Sequence, residues 1–377
     1  MKRLRATVNK IMSYLEDIAP RSLAMPGDPV GLQLGNPEAD VSKVLVSLDP
    51  DEKSVDEALS IGAEMLVTHH PLFYHKLASI NESLPEGMVI SLAIRNKISI
   101  FSAHTNFDSA IQGVSYQLAR RLGFSTEKAD VIEVTGSEEL LKLVVFVPVG
   151  HEDRIRDALA GAGAGKIGHY SHCTFQNSGT GTFMPGQETN PFIGKSGQLE
   201  KVDEIRLETI LPAHSRYNVI EALLQAHPYE EVAYDLYPLV LKGRDFGFGL
   251  IVEVDEPLSL DKIIQICRDR LNADYLRYYA PTVKAYKKIA FCGGSGGSLV
   301  ENAARLKVEL FISGDFSYHN LKAAQDLGIA LIDAGHDTTE WPGVVYLKEY
   351  LAERLLSDGY QTGVFLHTPY PSGWNHV

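Results

Sequence analysis

The sequence predicts an α/β protein with mostly parallel sheets, interrupted by an inserted ferredoxin-like α+β domain. Three observations carry this. Short apolar runs alternate with amphipathic helical stretches in both halves of the chain, the pattern of βαβ units and parallel pairing. Several of those runs stop abruptly at histidines and acids, most clearly where Met-Leu-Val-Thr passes into His69, His70 and Pro71. Between them the texture changes to strand–helix–strand, twice, which is a ferredoxin-like order. The expected division is 1–128, an insert at 129–240, and 241–377.

Composition bounds the rest. At 377 residues the chain has room for about two or three domains. An apolar fraction of 45% is enough for a sizeable core. The net charge of −13 argues against a nucleic-acid surface, which needs a basic footprint, but leaves room for a local basic pocket for a small anion. Cys173, Cys267 and Cys292 are widely separated and form no paired motif, so neither a disulfide framework nor a cysteine zinc site is expected. No signal peptide and no run long enough to span a bilayer is evident, which makes the cytoplasm the default expectation.

Taken in order, Val8, Ile11, Met12, Leu15 and Ile18 recur at helical spacing. Gly27-Asp28-Pro29 marks a loop before a short apolar stretch at 32–34. Residues 44–48 form a strand, Asp49-Pro50-Asp51 starts a helix, Gly62 ends it, and 65–68 is the next strand. A helix near 92–95 leads to a strand at 98–102, which runs into Ala-His-Thr-Asn-Phe-Asp at 103–108. The helix at 117–122 closes at Gly123, the residue that best follows a helix end. In the insert, 140–147 reads as a strand and 152–159 as a helix. Glycine-rich polar sequence follows to about 197, then a strand at 204–211, a helix at 217–225, His227-Pro-Tyr-Glu-Glu231 and a final strand at 232–236. From Phe246 the α/β pattern resumes, with strands at 288–292, 308–313 and 329–333. The last runs into Gly335-His-Asp-Thr-Thr-Glu340, where a helix begins that continues past Leu355.

The chemistry gathers where strands end, the usual ligand edge of a parallel sheet. His69, His70, Asp108, His336 and Glu340 form the candidate metal site. His336 and Glu340 are four apart, on one face of a helix. Five side chains exceed the three protein ligands of a single catalytic zinc. They suit two ions sharing carboxylates, and nitrogen and oxygen donors without sulfur point to Zn, Fe, Mn or Co. His104 reads as a further ligand, as a side chain orienting Asp108, or as a substrate contact. Asp315 reads as a helix cap and His319 as a proton donor. His75 reads as a loop residue. Gly293–Ser298 follows a strand and precedes a helix, which fits either a phosphate cradle or a tight turn beside the metal edge. His169, His172 and Cys173 admit a metal reading or a plain polar-strand one.

The motifs together resemble the Nif-three-like family, whose members are also known as GTP cyclohydrolase I type 2 homologues. The resemblance rests on Val-Thr-His-His-Pro-Leu-Phe at 67–73, Ala-His-Thr-Asn-Phe-Asp at 103–108, Ser-Gly-Asp-Phe-Ser-Tyr-His at 313–319 and Asp-Ala-Gly-His-Asp-Thr-Thr-Glu at 333–340, and it covers essentially the whole chain. It implies a dinuclear centre of two divalent transition-metal ions (Zn, Fe or Mn) on His69, His70, Asp108, His336 and Glu340, with Asp108 and Glu340 as bridges. It implies a homohexameric toroid with the metals facing an internal cavity. The function it implies is a metal-dependent hydrolase using a metal-bound water on a nucleotide such as GTP or a similar small molecule, with His104 or His319 moving protons. The alternative is a metal-binding regulator, sensor or carrier without catalysis. The insert resembles the PII and cation-tolerance-protein type, on Gly179-Thr-Gly-Thr-Phe183 and His227–Glu231. One departure stands out: Pro29 occupies the asparagine position of the family's Trp-Asp-Asn motif. No nucleic acid or membrane partner is expected.

Overall fold

A computed structural model describes residues 4–168, 170–273, 275–281 and 285–368. The chain divides into two compact units. One takes in the sequence up to Gly136 and from Phe246 onward, and the other is Ser137–Asp245.

The first unit opens with β1 (Ala6–Thr7) and α1 (Val8–Ile18), whose first turn is capped by the Thr7 hydroxyl. Then come β2 (Gly31–Leu34), β3 (Asp40–Val41), β4 (Lys43–Ser47), α2 (Glu52–Ile61), β5 (Met65–Thr68), α3 (Pro85–Arg95), β6 (Ser99–Ser102), α4 (Thr105–Ser109) and α5 (Val114–Leu122). A five-stranded sheet runs β15-β4-β5-β6-β2, where β15 is Gly363–Leu366. All its pairings are parallel except that of β2 with β6. One face packs on α1 and the long α11 (His336–Ser357), through Val44, Val46, Met65 and Val67 against Leu15, Leu347 and Leu351. The other packs on α2 and α3, through Leu45, Leu66 and Ile100 against Val55 and Ile90. Cover on both faces explains why β5 is an unbroken apolar run with every residue buried.

The second sheet of this unit uses the Leu250–Ser259 stretch of β10 (Tyr234–Ser259), with β11 (Arg277–Tyr279), β12 (Ala285–Ser295), β13 (Leu310–Gly314) and β14 (Ala330–Asp333). Strands β12, β13 and β14 are parallel, and β11 and β10 flank them antiparallel. Helices α5 and α8 (Leu260–Leu271) cover one face. The other lies under α9 (Val300–Arg305) and α10 (Tyr318–Leu327). The mostly parallel α/β architecture read from the sequence is therefore present.

In the second unit the Leu140–Pro148 part of β7 (Asp130–Pro148) pairs antiparallel with β9 (Glu200–Pro212), which pairs antiparallel with β8 (Thr174–Phe183). Helices α6 (Glu152–Gly161) and α7 (Arg216–Ala226) bury Ile155, Leu159, Val219 and Leu223 against Leu143, Val145, Leu207 and Leu211. The unit's order is strand–helix–strand–strand–helix–strand, a ferredoxin-like order. Strand β8 was not legible in the sequence. Its residues Gln176 to Gly179 have low strand propensity and lie exposed, so the pairing with β9 makes the strand. Strands β7 and β10 also run well beyond the expected 140–147 and 232–236.

Candidate metal centre

The site is built at strand ends. Past β5 the backbone stays tied to its neighbours: His69 N donates to the Ser47 carbonyl at 3.2 Å and His70 N to the Leu48 carbonyl at 2.9 Å. The Ser102 hydroxyl donates to the His69 carbonyl (2.9 Å) and the Thr68 hydroxyl to that of His70 (2.7 Å). Two adjacent histidines in extended backbone would face opposite ways. Here the chain leaves the strand, ahead of Pro71, and both rings enter one cluster, their centroids 5.2 Å apart. After β6 the Phe107 and Asp108 amides fold back on the His104 carbonyl, which turns Asp108 toward His69. After β14, Gly335 at φ +91° starts α11, whose first two turns carry His336 and Glu340.

Each of the four imidazoles is held through Nδ1. His69 Nδ1–H donates to the Ala103 carbonyl at 2.8 Å. His70 is held by Asp49 (2.7 Å), His104 by Asp28 (2.9 Å) and His336 by Asp315 (2.7 Å). Such anchoring fixes the ring and directs Nε2 to a ligand. The inner atoms converge on Glu340. Its Oε1 lies 3.5 Å from His69 Nε2 and 3.2 Å from His336 Nε2, and its Oε2 lies 3.0 Å from His70 Nε2. Asp108 Oδ1 is 3.6 Å from His69 Nε2. Among the described residues two overlapping groups place their donor atoms within 4.8 Å of one another: His69, His70 and His104, and His70, His336 and Glu340.

Electrostatics follow from burial. Although burial opposes charge on Glu340, the imidazoles of His69, His336 and His70 hold it well below the usual carboxylate range. Burial likewise works against a charged His70, yet the hydrogen bond to Asp49 and the nearby Glu340 carboxylate push it up to about 10. His336 rises to about 9, chiefly through its bond to Glu340. Burial raises the Asp108 carboxyl.

The donor set fits metal ions. His69 Nε2 and Glu340 Oε2 are buried and lack a hydrogen bond; the His70 nitrogen is near Oε2 but off the line such a bond requires. Buried unpaired donors and acceptors cost free energy, so a native protein leaves them for a purpose. A cradle is reserved around them. A β-carbon on Gly294, which sits at φ +64°, would fall 2.1 Å from Glu340 Oε1 and 3.2 Å from His336 Nε2. Burial pushes the nearby Cys292 thiol up to about 12, helped by the Asp108 and Glu340 charges, and it donates to the Gly293 carbonyl. The donors are thus nitrogen and oxygen, suited to Zn, Fe or Mn.

The structure brings His69, His70, Asp108, His336 and Glu340 together and adds His104 to the group. It does not bring His319 there: that residue is exposed on α10 with its ring against Tyr318. His75 is an exposed loop residue. Asp315, expected to cap α10, instead holds His336, and Ser317 caps the helix. Asp49, expected in a helix start, holds His70, and Asp51 supplies the cap. Sequence reasoning missed these anchors and Asp28, although all three follow the same signal of an acid just past a strand or turn on the ligand edge. Pro29 leaves Asp28 able to bind both His104 and the Thr105 amide. Gly293–Ser298 runs from the end of β12 into a short turn, with Gly294 taken up inside the protein: Gly294 N donates to the Thr339 hydroxyl, the Ser313 hydroxyl donates to the Gly294 carbonyl, and α9 beyond has only six residues. In the insert, His172 bonds Ser171, no grouping able to hold an ion occurs among the described residues, and His169 lies outside them. The anchors carry a prediction. Asp49→Ala should weaken metal binding about 10- to 100-fold while the protein stays folded. Competition with a chromophoric chelator measures it, and unchanged affinity would remove Asp49 from the centre.

The chain is similar to known proteins along nearly its whole length. The model of the family described as Duf34/NIF3 (NGG1p interacting factor 3) matches residues 6–369. The GTP cyclohydrolase 1 type 2 homolog of Halalkalibacterium halodurans is 38% identical over 356 residues, 94% of each chain. That of Bacillus subtilis is 36% identical over 348 residues, 92% of this chain and 91% of the relative. The crystal structure of a Bacillus cereus protein related to NIF3 superposes with a TM-score of 0.81 at 37% identity, covering 99% of this chain and 100% of that one. Staphylococcus aureus protein SA1388 gives a TM-score of 0.66 at 25% identity, with 99% of both chains covered.

Proposed function

Given that the chain belongs to the Duf34/NIF3 family, we propose that it is a metal-dependent hydrolase that holds two divalent transition-metal ions and acts on a nucleotide or a similar small molecule. The observation that carries this is the anchored histidine set. Four imidazoles are fixed through Nδ1, three of them stand around one buried carboxylate, and a buried imidazole nitrogen among them makes no hydrogen bond. His69, His70, Asp108, His336 and Glu340 would hold the ions, His70 being common to both groups of donors. Divalent ions at such a site supply Lewis acidity and lower the pKa of water.

The chain's own residues do the rest. Metal binding requires neutral imidazoles, so His70 and His336, protonated near pH 7 without metal, must give up protons on loading. His104, its Nδ1 fixed by Asp28, is the residue to take and return a proton. Tyr74 sets its ring edge-on to His104 at 6.0 Å from an exposed loop, where it can touch a substrate entering the cluster. The names of the relatives make GTP the first substrate to try.

The test is turnover of a nucleotide panel by metal-loaded protein beside His70→Ala and His104→Ala. Hydrolysis should disappear in the first and fall about 100-fold or more in the second. Turnover that persists unchanged in His70→Ala would sink the hydrolase reading. Metal bound without turnover on any substrate would favour the carrier or sensor reading.

A further inference from the structure

A second site is legible on the opposite face of α11 from the metal cluster. At 100° per residue, Trp341, Val345 and Glu349 project away from His336 and Glu340. There Trp341 and Tyr346 line a cleft of about 340 Å³ together with Arg120 and Arg121, in the last turn of α5, and Arg270, in the last turn of α8. The C-terminal end of a helix, with its free carbonyls, attracts cations. Here two such ends converge, and among the described residues no ion pair joins any of the three guanidinium groups to a carboxylate. Arg121 uses Nε on the Arg270 carbonyl (2.7 Å), which leaves both of its terminal nitrogens free. Arg120 uses Nε on Thr126 and one terminal nitrogen on Gln112. The Arg270 guanidinium lies over Gly123, where a β-carbon would fall 1.8 Å from Nη1, so only glycine at that helix end admits it. Glu349 is the single acid in the lining. In a chain of net charge −13, three guanidinium groups with no carboxylate partner among the described residues, in a lining with one acid, form a local positive field against the global sign. The same lining carries the rings of Trp341, Pro342 and Tyr346.

We propose that this cleft binds a phosphorylated small molecule carrying a planar ring, with phosphate oxygens on Arg121 and Arg270 and the ring against Trp341. The guanidinium fork matches phosphate in a bidentate way, and an aromatic wall takes a base by stacking. The site is separate from the metal centre and does not depend on the hydrolase reading.

Calorimetric titration of the full-length protein with chelator present tests it, using GTP as the ringed probe and inorganic pyrophosphate as the ringless one. Both should bind saturably. Arg121→Ala/Arg270→Ala should weaken both about tenfold or more, and Arg121→Lys/Arg270→Lys, which keeps the charge but not the fork, should fall between. Trp341→Leu should weaken GTP and leave pyrophosphate within about twofold. Metal content should be unchanged in all three variants. Absence of saturable binding by either probe, or GTP binding untouched by the double alanine change, overturns the site. Equal weakening of both probes in Trp341→Leu overturns the stacked-ring assignment.

Discussion

Replacing His336 and Glu340 together with alanine is expected to reduce bound transition metal to background from the roughly two ions per chain that the proposed two-metal site would hold, measured by mass spectrometry of purified protein. Glu340 carries the expectation. It is 4% exposed and stands within 3.5 Å of the inner nitrogens of His69, His70 and His336, so no neighbouring side chain can substitute for it. The wild type should also gain about 4 kcal/mol of stability at a thousandfold excess of metal over Kd, and the variant none. Glu340→Ala alone should be worse for the fold than the pair, because it leaves His336 beside His69 and His70 as a third imidazole whose shared counter-charge is gone; breaking such a buried pair costs about 3–5 kcal/mol. A double variant that keeps its metal would mean that the site lies elsewhere.

Gly294→Ala should damage the centre without touching a donor atom. The new methyl would stand 2.1 Å from Glu340 Oε1, and the backbone cannot yield, since Gly294 N and O are both hydrogen-bonded. At φ +64° an L-residue is strained as well. Together the overlap and the strain should cost about 3 kcal/mol and weaken metal binding tenfold or more. Gly328→Ala is the control: its φ is +72°, but nothing lies within 4 Å of its β-carbon, so only the backbone term of about 1 kcal/mol applies. Chemical denaturation and chelator competition on both variants decide the matter. Equal losses of stability, with metal affinity intact in both, would show that the glycine serves the turn and not the cradle.

Much of the centre could be read from the chain because parallel sheets advertise their ligand edge. Buried strands are continuous apolar runs, so a histidine pair at the end of β5 or an acid after β6 is conspicuous. The four-residue spacing of His336 and Glu340 likewise declares one helix face. The anchoring acids were harder. Asp49, Asp28 and Asp315 occupy places where an acid usually caps a helix or makes a turn, and that local reading is sound for Asp51, which does cap α2. His319 misled in the other direction: it follows a motif-like stretch but lies on the exposed side of α10.

The sequence by itself determined the α/β class, the strands that carry the donors and the donor types, because burial pattern and side-chain chemistry are local properties. Tertiary structure alone decided which carboxylate holds which imidazole, that His104 joins the group, and that Gly294 must lack a side chain. It also decided that β8 is a strand and that Arg120, Arg121 and Arg270 share a cleft with Trp341. Each of these depends on contacts between segments tens to hundreds of residues apart, such as Asp28 with His104 and Arg121 with Arg270. Periodicity along one segment carries no information about what another segment places opposite it.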